Sequence, residues 1–371
     1  MKQFKLCATL QFYDTFQEFL QEHSFGMGDL FLINQSLYDR FFRSAPPPCP
    51  VLVTSTYGSG EPTTDRVDRI RADIPWDTHR IIAVGGGTVM DIAKMLTLQA
   101  PSGHTADLFL GQDAPVRRYE LYAVPATCGT GSEVTNACAA EISGLQMKRG
   151  LNNDLMFPAV SVLIPELLWG LSFQVFATSS IDALIHAAES FLSPKATPHS
   201  LLFSREAIRL LLSGYRYLVG AGQAMRTRYD TDFLLASNYA GIAFSSAGCG
   251  PVHALSYPLG GGYHIPHGEA NQLVFADTFR LYREKSPGGR MRELETLLAE
   301  TLDVSASRSL EALFALVDQI HPRKPLRDYG IKAEELPVFA ARVMKEQQRL
   351  LSNSYVPFTV SELAGIYQAA Y

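Results

Sequence analysis

The chain lacks any apolar run of about 20 residues, so no stretch reads as a membrane span. Its opening residues, MKQFKLCATLQFYDTF, carry no signal-peptide pattern, and the expected location is the cytoplasm. Positive charge is in short supply. The 32 Lys and Arg against 37 Asp and Glu leave a net charge of -5, with no basic footprint for nucleic acid or an anionic membrane. Cysteine is sparse and odd in number: Cys7, Cys49, Cys128, Cys138 and Cys249 show no CxxC spacing, which argues against a disulfide framework and a thiolate zinc site. The G-x-G-x-x-G dinucleotide fingerprint and the Walker-type ending are both missing, so ATP is a poor expectation. No internal repeat or low-complexity linker interrupts the 371 residues. At 47% hydrophobic and 19% charged they have an ordinary balance for a globular protein of roughly two domains.

What is present points to an enzyme. Asp182 and His186 stand four residues apart in SSIDALIHAAES, where Ser179 or Ser180 can cap a helix and Ile181, Leu184, Ile185 and Ala188 form its apolar side. At that spacing both side chains emerge from one face. His253 and His267 follow in PVHALSYPLGGGYHIPHGEAN, with a Pro- and Gly-rich turn between them to fold the second back toward the first. One carboxylate with neutral imidazoles suits Fe(II), Zn or another first-row divalent ion, and four protein ligands leave room for a substrate oxygen. The competing reading is a helix-surface hydrogen bond for the Asp182/His186 pair and satisfied core positions for His253 and His267.

Upstream, RIIAVGGGTVMDIAKM at residues 80–95 reads as a strand, a tight turn and a helix start. Gly85, Gly86 and Gly87 permit positive φ and close backbone approach, and the helix N-terminus after them offers N–H groups and a favourable dipole to a pyrophosphate. VPATCGTGSEVTN at residues 124–136 is a second such loop, in which Thr127, Thr130 and Ser132 can hydrogen-bond a nucleotide without crowding it. Cys128 lies inside that loop, either oxidation-sensitive or a small filler.

Near residue 172 the pattern changes from short apolar runs to long helical periodicity. LFLIN, PVLVTST, RIIAVGG, LYAVPAT and SVLIPE read as strands of a parallel sheet, with TTDRVDRIRADI as a covering helix and PPPCP as a rigid turn. SREAIRLLLSGYRYLV, TDFLLASNYAGIAFS, MRELETLLAETL, SLEALFALVDQI and PVFAARVMKEQQRLL read as helices. The expected organisation is an α/β Rossmann-like nucleotide domain at 1–172 and an all-α metal and substrate domain at 173–371, with the site in the cleft between them.

GGGTVMDIAK, PATCGTGSEVTN, DALIHAAES and HALSYPLGGGYHIPHGEAN, in that order, resemble the successive signatures of the iron-containing alcohol dehydrogenase family, and the resemblance spans nearly the whole chain. It implies a dehydroquinate synthase-like fold, NAD(H) with NADP left open, Fe2+ or Zn2+ as the metal, and hydride transfer between an alcohol and an aldehyde. SSIDALIHAAESFLSP, SNYAGIAFSSAG, RKPLRDYG and QQRLLSNSYVPF are most similar to the branch that interconverts 4-hydroxybutyrate and succinic semialdehyde. Other expectations are a different small alcohol such as butanol, 1,3-propanediol or a polyol, and a dehydroquinate synthase-like lyase. A metal-dependent hydrolase is a more remote rival. Asp182, His186, His253 and His267 correspond to the family's metal ligands. Asn34, Gly85, Gly86, Gly87, Asp91, Thr127, Thr130 and Ser132 correspond to its cofactor positions, with Lys94 a weaker candidate; Asp91 also reads as a first-turn residue favoured by the helix dipole. Relatives form homodimers or larger homo-oligomers, and the same is expected here.

Two departures stand out. Tyr257 occupies a position where many members carry a histidine assigned to proton relay, so a relay would run through the phenol, through His264 or directly to water. Asn34 stands where NAD-preferring relatives place an aspartate that repels a 2′-phosphate. A substrate carboxylate would need a cationic or polar partner. The sequence offers Arg349, Arg323, Lys324, Arg327, Lys148 and Arg149, with Tyr257, Asn353 and Tyr355 as neutral donors, and does not choose among them.

Overall fold

The computed structural model describes every residue except Met1, Asp113 and Gln146. The chain divides into two compact units, Leu6–Gly170 and a second that joins the residues up to Lys5 to Leu171–Tyr371. Ten strands form among the described residues: β1 (Thr9–Phe12), β2 (Asp29–Ile33), β3 (Val51–Val53), β4 (Arg80–Gly85), β5 (Leu98–Gln99), β6 (Val116–Arg117), β7 (Glu120–Pro125), β8 (Ala137–Ile142), β9 (Met147–Asn152) and β10 (Val160–Leu163). All lie in the first unit.

Six of them build one parallel sheet in the order β1-β10-β7-β4-β2-β3. The central strand β4 sets the register, with Ile82 opposite Phe31 on one side and Tyr122 on the other. Because both faces are covered, β2 after Asp29 and β4 after Arg80 run continuously apolar rather than alternating. Successive residues divide between two cores. Leu30, Leu32, Ile81, Ala83, Leu121 and Ala123 pack with Val89, Ile92 and Leu96 of the Gly87–Thr97 helix, while Phe31, Ile33, Ile82, Val84 and Val162 pack with Phe16 and Phe19 on the other face.

The expected strands are thus all present, but β1 at the sheet edge and the antiparallel β8–β9 hairpin are additions. ACAAEI and MKRGLN, half exposed and poor in β-branched residues, carry little strand signal.

The second unit is helical, and its central element is Phe173–Leu192, buried almost continuously from Phe176. The expected cap is displaced: Ser172, not Ser179 or Ser180, accepts the Val175 amide at the N-terminus. Phe173, Phe176 and Ala177 extend the apolar face upstream, and the two inner serines return their hydroxyls to carbonyls of the preceding turn. His253 and His267 are also joined differently from the expected turn. LGGGY stays helical, so that Pro251–Tyr263 runs on through Pro258 and only His264, Ile265 and Pro266 separate it from the His267–Lys285 helix. The expected C-terminal helix PVFAARVMKEQQRLL is interrupted at Gln347, giving Leu336–Glu346 and Gln348–Leu351. Among the described residues no helix is long and apolar enough to cross a membrane.

Candidate metal centre and nucleotide loops

Three helices bring the ligand candidates together. Asp182 and His186 project from one face of Phe173–Leu192, His253 lies in the first turn of Pro251–Tyr263, and His267 is the first residue of its helix. Gly268 lets that last helix dock closely, since a Cβ there would overlap the Thr178 carbonyl on the Asp182 helix. Asp182 Oδ1 lies 3.7 Å from His253 Nε2 and 3.8 Å from His267 Nε2, and Asp182 Oδ2 lies 3.9 Å from His186 Nδ1. Two ligand atoms about 2.1 Å from one tetrahedral ion are roughly 3.4 Å apart, so the cluster is near the size of a single coordination shell.

The electrostatics fit a cation. Burial pushes the Asp182 carboxyl up, but the neighbouring imidazoles of His186, His267 and His253 outweigh it and hold the group well below the usual carboxylate range. His253 is driven down by burial and lifted further by Asp182 and Glu189, to about 9. Its Nδ1 is 2.6 Å from Glu189 Oε2, a carboxylate that also accepts the Gly250 and Val252 amides. An ionised carboxylate only accepts, so Nδ1 keeps its proton, and it is Nε2 that must lose one to present a lone pair to a cation. That buried Nε2 has no hydrogen-bond partner among the described residues. A buried ring nitrogen without a partner, beside a carboxylate and two further imidazoles, fits a metal ligand.

Glu189 and Asn271 were not singled out from the sequence. Asn271 donates from Nδ2 to Asp182 Oδ1 at 2.7 Å and approaches His267 Nε2 at 3.3 Å. Both residues were within reach of a helical-spacing argument: Glu189 is one turn beyond His186, and Asn271 one turn beyond His267.

The other candidate relay and carboxylate residues are dispersed. Tyr257 is half-buried one turn after His253, whereas His264 ends that helix in a left-handed conformation, φ 55°, with an exposed side chain. Arg323 is bidentate on Asp318, Arg327 donates to the Tyr371 carbonyl, Lys148 pairs with Glu61 and Arg149 donates to the Phe109 carbonyl. Lys324 lies 6.0 Å over the Tyr329 ring. Tyr355 donates to the Gly288 carbonyl and Asn353 to the Cys249 carbonyl. Arg349, exposed on Gln348–Leu351, is the candidate whose charge is felt beside the cluster: it opposes the rise that burial, Glu189 and Asp182 impose on the Cys249 thiol.

In the first unit the two glycine-containing loops pack on each other. The expected positive φ is absent from Gly85, Gly86 and Gly87; it falls at Gly131, φ 54°. The close approach that glycine also permits is what the triplet uses. A Cβ on Gly86 would come within 3.0 Å of Thr127 Cγ2, and one on Gly87 within 2.8 Å of Thr130 Cγ2. Among the described residues no side chain caps the helix that starts at Gly87, which leaves its N-terminus open to an anion. Asp91 lies beyond the first turn, so the expected dipole role does not apply. Its carboxylate accepts from the Ala139 amide and Ser132 Oγ, and burial raises its pKa against the opposing charge of Lys94. Asn34 caps a short helix by accepting the Leu37 amide.

Lys94 has the clearest role in this unit. Fully buried, it donates to Ser132 Oγ at 2.7 Å and to Thr135 Oγ1 and the Ala137 carbonyl at 2.8 Å, tying the second loop to the helix of the first. Burial lowers its pKa to about 8, with Asp91 opposing, so it remains protonated at neutral pH. Lys94→Met is expected to lower stability by roughly 2–3 kcal/mol, the cost of leaving buried acceptors unsatisfied, and to weaken NADH binding. Thermal melts and fluorescence titration check this; unchanged affinity would show that the loop keeps its shape without the staple.

Two family models match. Residues 16–165 match iron-containing alcohol dehydrogenase, and residues 176–371 match the C-terminal part of the same family. The chain belongs to the iron-containing alcohol dehydrogenase family. It is 44% identical to the 4-hydroxybutyrate dehydrogenase of Clostridium kluyveri over 372 aligned residues, covering all of both chains. It is 34% identical to a long-chain-alcohol dehydrogenase of Geobacillus thermodenitrificans over 78% of this chain and 74% of that one. A solved sulfoacetaldehyde reductase from Bifidobacterium kashiwanohense, in complex with NAD+, shares the fold at a TM-score of 0.85 and 23% identity, covering 100% of this chain and 98% of that one. This iron-containing alcohol dehydrogenase is therefore an oxidoreductase, with iron and NAD(H) as its expected cofactors.

Proposed function

We propose that the chain catalyses the reversible, NAD-dependent oxidation of 4-hydroxybutyrate to succinic semialdehyde, assisted by a divalent metal held by Asp182, His186, His253 and His267. The observation that carries the reading is the full-length 44% identity to a 4-hydroxybutyrate dehydrogenase. When bound, the metal supplies Lewis acidity at the substrate oxygen and the nicotinamide accepts or donates the hydride.

The chain's own residues do the rest. Glu189 fixes the His253 tautomer, and the Asn271 amide orients Asp182. Gly86, Gly87, Thr127 and Thr130 form the cradle for the cofactor pyrophosphate at an uncapped helix N-terminus, and Lys94 holds Ser132 in place beside it. Tyr257, one turn after His253, is placed to pass the hydroxyl proton of the alcohol to water. We assign the substrate carboxylate to Arg349, the basic candidate whose charge reaches Cys249 at the cluster. Arg349→Gln should raise KM for succinic semialdehyde on the order of tenfold or more, the worth of one charge-assisted hydrogen bond, and leave KM for butyraldehyde unchanged. An equal effect on both aldehydes would remove that assignment.

Asn34 leaves the cofactor choice less strongly enforced than an aspartate would. Asn34→Asp keeps a good helix cap while adding a charge, so it tests the ribose position without unfolding the turn. It should lower turnover with NADPH relative to NADH by roughly tenfold. Equal effects on the two cofactors would place Asn34 away from the ribose. The same reading includes a cytoplasmic homo-oligomer acting on a small molecule. NAD+ reduction with 4-hydroxybutyrate, compared with 1-butanol and 1,3-propanediol, tests the substrate: a higher kcat/KM for either diol or butanol would move the enzyme to another branch of its family.

A further inference from the structure

Cys249 belongs to the metal cluster in space although nothing near it in sequence suggests a thiolate site. Its Sγ and one ring nitrogen each of His186 and His253 all lie within 4.8 Å of one another, and the same limit groups Asp182, His253 and His267. The two triplets meet at His253, whose buried Nε2 has no hydrogen-bond partner among the described residues. A spacing rule that looks for a second cysteine two residues away misses a single thiol delivered by a different connection.

That connection is built firmly. Cys249 lies between the Asp230–Ala247 and Pro251–Tyr263 helices. Gly248 has φ 78°, and a Cβ there would collide with the Asn353 amide. Asn353 Nδ2 donates to the Cys249 carbonyl at 2.8 Å, and Glu189 Oε2 accepts the following Gly250 amide at 2.8 Å. The carboxylate that orients His253 therefore also holds the backbone next to Cys249, so the thiol and the imidazole are positioned as one unit.

We propose that Cys249 supplies a thiolate donor to the cation held by Asp182, His186, His253 and His267. A sulfur–metal bond forms as the S–H bond breaks, the proton goes to solvent, and no oxidant or reductant is needed. A soft donor added to one carboxylate and three imidazoles tilts the site toward zinc and cobalt and away from oxygen-preferring ions such as Mg2+ and Mn2+. This rests on the metal centre proposed above, and the test separates the two.

The experiment is anaerobic titration of the metal-depleted full chain with Co(II), read by absorption and by bound metal per chain, for the wild type, Cys249→Ser and Cys7→Ser. The wild type and Cys7→Ser should bind one cobalt and show a near-ultraviolet sulfur-to-cobalt charge-transfer band, which Cys249→Ser loses while keeping its cobalt and visible d–d bands. If Cys249→Ser does not fold, the wild-type and Cys7→Ser spectra decide by themselves, since the exposed Cys7 is the cysteine open to adventitious metal. One cobalt per chain with no charge-transfer band overturns the thiolate donor and leaves the metal centre standing. No stoichiometric cobalt in the wild type overturns both.

Discussion

Asp182→Ala is expected to lose the bound metal and to lower kcat/KM by roughly a thousandfold or more, because Lewis-acid stabilisation of the substrate oxygen contributes several kcal/mol at about 1.4 kcal/mol per decade. The fold should survive. Removing the carboxylate strands one donor of Asn271 but also removes a buried charge, and these effects oppose each other. NADH binding should persist too, since the loops proposed to carry it are in the other unit. Metal analysis, NADH titration and steady-state kinetics on one preparation check all three. Full metal content with lost turnover would make Asp182 something other than a ligand, and loss of NADH binding would point to general misfolding.

Glu189→Gln carries the second large effect, and it separates holding the metal from orienting what holds it. Three donors converge on the Glu189 carboxylate: His253 Nδ1 and the Gly250 and Val252 amides. A glutamine presents its own N–H groups on one side, and an amide that donates to Nδ1 would move the ring proton to Nε2 and cancel the lone pair facing the cluster. Metal affinity should fall about 10–100-fold, the usual loss for a supporting partner of a metal-bound imidazole. Excess metal should restore turnover in Glu189→Gln but not in Asp182→Ala. An unchanged metal Kd in Glu189→Gln would mean that the His253 tautomer is set by something else.

The parts of the fold that were legible are those where burial imposes a simple pattern. β2, β4, β7 and β10 are short, mostly apolar runs because the sheet is covered on both faces, and the ends of those runs mark the loops that follow. β8 and β9 were not legible, because a half-exposed hairpin leaves no such run. Ser179 looked like a cap because a serine before an apolar helix face usually is one, yet the same hydroxyl can return to a carbonyl one turn back.

At the site, the four ligand candidates could be named from spacing and resemblance, and the structure sets a carboxylate oxygen of Asp182 within 4 Å of a ring nitrogen of each of the three histidines. The residues that spacing did not single out are those whose role depends on tertiary approach. Glu189 and Asn271 look like ordinary polar positions on buried helices until His253 and Asp182 arrive from elsewhere. Lys94 read as a weak cofactor candidate, but its three acceptors come from a loop some forty residues away, a convergence no local pattern announces. Of the two reasons glycine suits the triplet, only close approach applies: Thr127 and Thr130 leave no room for a side chain, and the backbone there is not left-handed.

The central claim is that this chain uses a metal and a nicotinamide to turn over a carboxylated aldehyde. It is tested most directly by anaerobic NADH oxidation with succinic semialdehyde, run on metal-depleted protein before and after addition of Fe(II), with butyraldehyde in parallel. The account predicts turnover that appears with the metal, disappears with a chelator and strongly prefers the carboxylated substrate. Metal-independent turnover of succinic semialdehyde, or equal use of butyraldehyde with the metal restored, would contradict it.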